Sequence, residues 1–429
     1  MGGASGNGGT ARESAGDRIW NKAFISIFIA NGALAMGQQM VNVLIALYAD
    51  SLGASTTLVG FAVSAFAYTA LALKIVSAPA IDAFSRKKIL VVALLAVAAS
   101  YFVFSLSSNI VVVILARLLQ GSAMAFTFTC CLAMATDTLP RSRVNSGIGY
   151  FSLAQAACMA IGPMVGLTLA DALGYNAAFG IAGIIMLGAV GCALMVKEPP
   201  HKRRPFKITP NSVFAFEAAV PALIAGLLVI AFCNVNSFLA LYAAERGVDN
   251  IGLFFTVNAL LMLLSRPLTG RLADKYGLVK VVLPAMVSFA CSFLVISQAD
   301  ALWMFLVAAA LSAFGYGAAG PLLQACCMEC VPPERRGAAG SAYFIGIDAG
   351  NIIGPVLAGS VAEVTGYQPM WLILLVFIAA AFALTVAFRK KIARIESDFA
   401  RAGADGAEGE ADADGAAGKG GDAGKGGVA

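Results

Sequence analysis

The chain has 429 residues, of which 59% are hydrophobic and 12% charged, with a mean hydropathy of +0.83. An average soluble domain carries roughly 25% charged residues, so a soluble domain of any size is excluded. The net charge of +5 gathers in short segments between apolar runs, where it reads as a determinant of membrane orientation and not as a nucleic-acid surface.

Residues 1–21 form a Gly- and Ser-rich tail with nothing to bury. A transmembrane helix needs about 20 mostly apolar residues. On that basis spans are predicted at 22–48, 57–81, 88–106, 110–138, 144–170, 175–196, 218–243, 250–273, 279–298, 302–330, 338–363 and 369–388. The expected architecture is an all-α membrane protein: a six-helix bundle over 22–196, a linker over 197–217, a second bundle over 218–390 and a tail over 391–429. The first span is too long for a secretory signal, and no small-residue cleavage site follows it.

Span one carries Asn31, Gln38 and Asn42. At about 100° per residue they fall within roughly 20° of one line. Amides on so narrow a stripe of a membrane helix avoid lipid. They are expected to line a solute cavity or to pack another helix.

Span two contains Lys74-Ile-Val-Ser-Ala-Pro-Ala-Ile-Asp82, followed by Arg86, Lys87 and Lys88. The basic run is expected on lipid phosphates. Span four holds Arg117, roughly 10 Å inside its outer end. An arginine keeps its proton, so it can bind an anion or bias a nearby acid. Span five offers Gln155 and the pair Gly162-Pro163. The nine cysteines lie in apolar spans without metal-ligand spacing, and the single histidine, His201, lies in the linker. No metal or cofactor is expected.

In the second half, span seven brings Asn234, span eight Asn258 and Arg266-Pro-Leu-Thr-Gly-Arg-Leu-Ala-Asp274, and span ten Gln324. These amides are further cavity candidates. Span eleven holds Asp348, the most deeply placed acid, and then Gly354-Pro355. Glycine beside proline suits close packing and a kink, and the two Gly-Pro pairs are expected as hinges at an interface between halves.

A constant offset of 192 relates Lys74 to Arg266, Asp82 to Asp274, Asp137 to Glu329 and Gly162 to Gly354. An offset of six spans makes the halves parallel repeats about an axis along the membrane normal. The counterpart of Arg117 is Ala309, so that charge breaks the symmetry. Basic residues fall on one side when twelve spans alternate, with Arg246 alone on the other, which places both termini in the cytoplasm of a cell membrane.

These motifs resemble the major facilitator superfamily over residues 20–390. The cassettes around Asp82 and Asp274 are similar to that family's loop motif Gly-x-x-x-Asp-Arg-x-Gly-Arg-Arg. The second keeps Gly270, Asp274 and Gly277, whereas Ala78 and Ser85 replace the glycines of the first. Arg117-Leu-Leu-Gln-Gly121 resembles the helix-four motif of proton-coupled members. Gly149, Gly162-Pro163 and Gly166 resemble the antiporter signature of helix five, with Cys158 and Leu167 where it prefers glycine.

The resemblance implies alternating access, with proton coupling at Arg117, Asp348 and Lys74 and a cytoplasmic gate at Asp82, Arg86, Asp274 and Arg266. In the family fold, helix two of one half faces helix eleven of the other. Lys74 is therefore expected to approach Asp348 in the outward-facing state, and Arg266 to turn towards Gln155 and Ala156.

The functional expectation is proton-coupled export of a small organic solute by a monomer among membrane lipids. Proton-coupled uptake and a non-transporting sensor on the same fold are the alternatives. No Gly-x-x-x-x-Gly-Lys-Ser/Thr loop exists, so no nucleotide is expected. An enzyme would need convergent nucleophiles or bases, which the spans lack.

Overall fold

The computed structural model describes residues 19–139, 144–196, 215–332, 335–392 and 394–395, leaving outside the description the side chains at 78, 82, 144–146, 152, 156, 159, 336 and 337. Most of residues 1–21, the linker and the tail after 395 thus lie outside the described residues.

Among the described residues, twelve helices long and apolar enough to cross a membrane follow in order. In the first half they are α1 (Lys22–Ser51), α2 (Thr56–Ala83), α3 (Arg86–Leu106), α4 (Ile110–Thr138), α5 (Val144–Leu173) and α6 (Tyr175–Met195). In the second they are α7 (Ala219–Glu245), α8 (Gly252–Tyr276), α9 (Leu278–Gln298), α10 (Leu302–Glu329), α11 (Arg336–Thr365) and α12 (Tyr367–Ala387). Every predicted span is present, with ends within three residues. No strand occurs among the described residues.

Helix ends follow the chemistry of their first residues. Asn21, Ser55, Ser85 and Asn109 each accept a backbone N–H of the helix that follows. Such side-chain caps satisfy donors that the helix cannot. The Asn21 amide also donates to the Thr138 carbonyl at 2.7 Å, tying the start of α1 to the end of α4.

The duplication is visible in the geometry. Within each half the first helix packs on the fifth and sixth, the second on the fourth, and the third on the fourth and sixth. Tyr48 of α1 donates to the Ser107 carbonyl, and Tyr242 of α7 donates to the Ser297 carbonyl. Gly174 and Gly366 open α6 and α12 with φ of 84° and 82°. Gly277 opens α9 with φ 88°, whereas its counterpart Ser85 opens α3 with φ −65° and caps Lys88. The serine that replaces the motif glycine therefore exchanges a left-handed turn for a side-chain cap.

The halves meet along α2 and α11, along α5 and α8, and between α1 and α7. Call the face where α1 starts and α12 ends the terminal face. At the opposite face the contact is tight. A β-carbon at Gly60 would overlap the Pro355 carbonyl, and one at Gly359 would overlap the Thr56 carbonyl. The Thr57 N–H donates to Glu363 Oε2 at 3.0 Å. Gly252 of α8 packs on Met164 of α5. Nearer the terminal face, a β-carbon at Gly149 of α5 or Gly270 of α8 would meet nothing within 4 Å. The molecule is closed at the opposite face.

The Gly-Pro pairs make contacts of two kinds. Gly162 presses on Gln39 and the Met36 carbonyl of α1, and Gly354 on Cys233 and the Ile230 carbonyl of α7. Both glycines serve contacts inside one bundle. The close approach between bundles sets Gly60 on the Pro355 carbonyl and Gly359 on the Thr56 carbonyl, each glycine four residues from Thr56 or Pro355 on its own helix, so Pro355 stands at the interface between the halves. That small-residue spacing at a helix crossing was the available signal.

Candidate functional site

A cavity of about 630 Å³ lies between the first bundle and α11. Its polar lining comprises Asn31 and Gln38 of α1, Lys74 and Ser77 of α2, Thr129 of α4, Gln155 of α5, and Ser341 and Asp348 of α11. Its apolar lining includes Phe66, Phe128, Phe151 and Phe344. A volume in this range is ordinary for a small-molecule site.

The wall of the cavity carries an ion pair. Lys74 Nζ donates to Asp348 Oδ2 at 2.6 Å, joining α2 of one bundle to α11 of the other. The ammonium also stands 5.0 Å from the centre of the Phe344 ring. Side-chain exposure is 36% for Lys74 and 13% for Asp348. The expected pair is thus present, but in a molecule whose bundles are shut at the opposite face. The pair was expected in the state open to that face, and here it is formed with that face closed.

Asn31 is fully buried, and neither of its side-chain polar atoms has a hydrogen-bond partner among the described residues. Buried amides are rarely left so. Gln38 lines the cavity and also belongs to a network behind it. Gln38 Nε2 donates to Asn42 Oδ1 at 3.2 Å, and Gln120 Nε2 donates to Gln38 Oε1 at 3.0 Å.

Arg117 is the centre of that network. It is fully buried and donates to the Ala62 carbonyl at 3.3 Å, the Val63 carbonyl at 2.8 Å, Gln120 Oε1 at 2.9 Å and Asn42 Oδ1 at 3.4 Å. Its guanidinium lies 4.7 Å from the centre of the Phe66 ring. Arg117 and Asn42 therefore stand outside the cavity lining, and carbonyls and amides ligate the charge without an acid. Gln120 and Phe66 escaped the sequence reading. Gln120 could have been found as the polar residue one turn after Arg117.

The second-half amides point elsewhere. Asn258 Nδ2 donates to the Ala309 carbonyl of α10 at 3.0 Å. Asn234 Nδ2 donates to the Ile230 carbonyl of its own helix at 2.7 Å. Gln324 is half-buried on α10 and does not line the cavity. A stripe of polar residues cannot say which way its helix is turned, and packing has turned Asn258 onto a neighbour within its own bundle.

At the terminal face the gate candidates divide. Arg86 Nη1 bonds Asp137 Oδ2 at 2.5 Å, and Lys87 Nζ donates to the Leu194 carbonyl at 2.7 Å. Both tie α3 to its own bundle, where contact with lipid phosphate was expected. Cations near helix C-termini satisfy carbonyls there. Asp274 is exposed, and the side chain of Asp82 lies outside the description. Arg266 is exposed and within electrostatic range of Tyr316 and Tyr343, not placed by any hydrogen bond on Gln155. Ala156 is outside the described side chains. Among the described residues no three of His, Cys, Asp and Glu converge on a metal position.

The model of the Major Facilitator Superfamily matches residues 27–249 and 222–409. An uncharacterised MFS-type transporter of Methanocaldococcus jannaschii is 23% identical over 358 residues, covering 80% of this chain and 92% of its own. One from Burkholderia pseudomallei is 28% identical over 370 residues, covering 82% and 88%. Among solved structures, a variant of the nucleoside transporter NupG superposes with a TM-score of 0.74 at 15% identity, covering 86% of this chain and 100% of that one. A POT family transporter in complex with 5-aminolevulinic acid gives 0.75 at 12% identity, covering 88% and 98%. At such identities the superpositions speak for the fold alone. With twelve helices in two related bundles around a cavity, the chain belongs to the major facilitator superfamily and is a multi-pass membrane transporter of that type.

Proposed function

We propose that the protein carries a small organic solute by alternating access and that the Lys74–Asp348 pair couples this movement to protons. The observation that carries the reading is the 2.6 Å bond between α2 and α11 on the cavity wall. Rocking of the bundles parts α2 from α11 at Gly60 and Gly359 and shifts the two helices against each other along the cavity wall. A shift or a solute that separates Lys74 from Asp348 withdraws the ammonium from the carboxylate. A carboxyl alone in a low-dielectric wall is neutral, and one beside an ammonium is ionised. The pair thus links bundle position to a proton.

Other groups around Asp348 are few. From α7, Cys233 packs on Gly354 and lies 3.8 Å from the Gly350 carbonyl. From α10, Tyr316 and Cys327 lie within electrostatic range of Tyr343 on the Asp348 helix, and Glu329 ends α10. No charged residue occurs in α12. Among the described residues, Lys74 is the charge that faces the carboxylate.

The expectation of export by exchange rested on the Gly-Pro segment of α5. That segment packs on α1. The pair itself favours joint movement of solute and proton. A solute taking Lys74, the better exposed partner, leaves Asp348 to a proton. Exchange follows instead when a solute competes with the proton for Asp348. With both termini cytoplasmic in a cell membrane, joint movement down the proton gradient is uptake.

Proteoliposomes containing a pH dye test this. A panel of small solutes is added with the outside acidic. Solute-dependent proton movement inward marks co-transport, and outward movement marks exchange. Asp348→Asn should abolish the proton signal while counterflow of the same labelled solute continues. Proton movement that survives Asp348→Asn refutes the coupling role, and absence of counterflow in the parent protein identifies a sensor.

A further inference from the structure

Charged residues within the twelve helices mostly sit near helix ends. Those well inside are Lys74, Arg117, Arg266 and Asp348. Three cations share one carboxylate, and that carboxylate is held by Lys74. Arg117 is ligated by neutral groups, so its charge remains. Arg266 has no acid in ion-pair distance among the residues whose side chains are described. Excess positive charge at membrane depth is costly. A bound anion relieves it, and a bound cation adds to it.

The cavity lining has the same bias. Lys74 has three N–H donors, and Asp348 takes one. Asn31 brings an amide whose N–H₂ and oxygen are both unpaired, so it can donate to an anion's oxygen. Gln38 has its acceptor oxygen occupied by Gln120 and one amide N–H donated to Asn42, which leaves its second N–H. Asp348, the one carboxylate of the lining among the described residues, is the less exposed member of its pair. Around these donors stand the rings of Phe66, Phe128, Phe151 and Phe344. Such walls take an apolar or aromatic body, with a few polar groups fixing its orientation.

We infer that the solute is a monovalent organic acid, bound as its anion, with the carboxylate on Lys74 and an apolar or aromatic body among the four phenylalanines. This rests on the reading of the cavity as the solute site. The step balances without any further reactant. A Lys74 N–H donates to the incoming carboxylate in place of Asp348 Oδ2. Asp348 takes one proton from water. One anion and one proton then move together, and no net charge crosses with the solute.

The test uses the purified full chain and thermal unfolding at two pH values. The probes are benzoate, phenylacetate and naphthoate, each beside its neutral amide and the corresponding amine. The acids should raise the unfolding midpoint, and their amides and amines should not. Lys74→Gln should weaken acid binding by about tenfold or more, the size of one charge-assisted hydrogen bond. Lys74→Arg keeps the charge and should keep the preference, which separates lost binding from lost folding. Stabilisation by amines or amides equal to that by acids, or by none of the acids, overturns the inference. Acid binding that is the same at both pH values supports the substrate class and refutes the proton coupling, so the two proposals fail separately.

Discussion

Gly60 of α2 and the Pro355 carbonyl of α11 are in backbone contact at the opposite face, with no room for a β-carbon between them. The same holds one turn away, where Gly359 meets the Thr56 carbonyl. These contacts exist only while the bundles are closed there. Gly60→Val should therefore leave each bundle's own core intact and penalise the closed state. Overpacking of this kind costs roughly 1–3 kcal/mol, about a five- to hundredfold shift in the ratio of closed to open molecules. Cysteines at Thr57 and Ser360, whose hydroxyls lie 3.5 Å apart, report it. Their cross-link should form readily in the parent background and poorly with Gly60→Val. Equal yields in both would show that the close approach does not control closure.

Asn31 and Asn258 look alike in the sequence, yet the structure gives them opposite energetics. Asn258 spends its amide on the Ala309 carbonyl, while Asn31 is buried with nothing bonded. A buried, unsatisfied polar group costs about 1–3 kcal/mol. Asn31→Leu should therefore stabilise the empty protein by around 1 kcal/mol and reduce its response to solute. Asn258→Leu should lower stability by about 0.6 kcal/mol, the average for a hydrogen bond between membrane helices. Thermal unfolding in one detergent compares them. Shifts of the same sign would mean that Asn31 is not a group held in reserve for a ligand.

This contrast shows where the sequence was legible. Length and hydropathy place all twelve helices, because a membrane demands long apolar runs. The constant offset gives the two bundles, because duplicated chains keep register. Lys74 and Asp348 could be paired because their depths along two facing helices match. What the sequence does not contain is the rotation of each helix about its axis. Packing sets that rotation, and it turns Asn258 onto a neighbour within its own bundle while Asn31 and Gln155 reach the cavity. Nor does a charge announce its ligands. Arg86, first of the basic run 86–88, finds Asp137, and Arg117, alone in an apolar span, finds carbonyls and amides.

Arg117 allows a sharper question, whether the site needs a positive charge or a guanidinium. Its Nε and Nη2 reach the successive carbonyls of Ala62 and Val63, and Nη1 reaches Gln120. A planar fork can satisfy three acceptors in fixed directions, and a lysine ammonium is a point charge on a flexible stem. Arg117→Lys keeps the charge but should lose at least one charge-assisted bond, about 1.5–3 kcal/mol. Gln120→Leu removes a neutral partner and should cost less, about 1 kcal/mol. Both values are read as thermal unfolding midpoints against the parent protein. The order matters more than either size. If Arg117→Lys is as stable as the parent, charge alone suffices, and the hold of α4 on α2 does not depend on the fork. If it is the weaker variant, the arginine is the joint between those helices, and its link to the cavity runs through Gln120, Gln38 and Phe66.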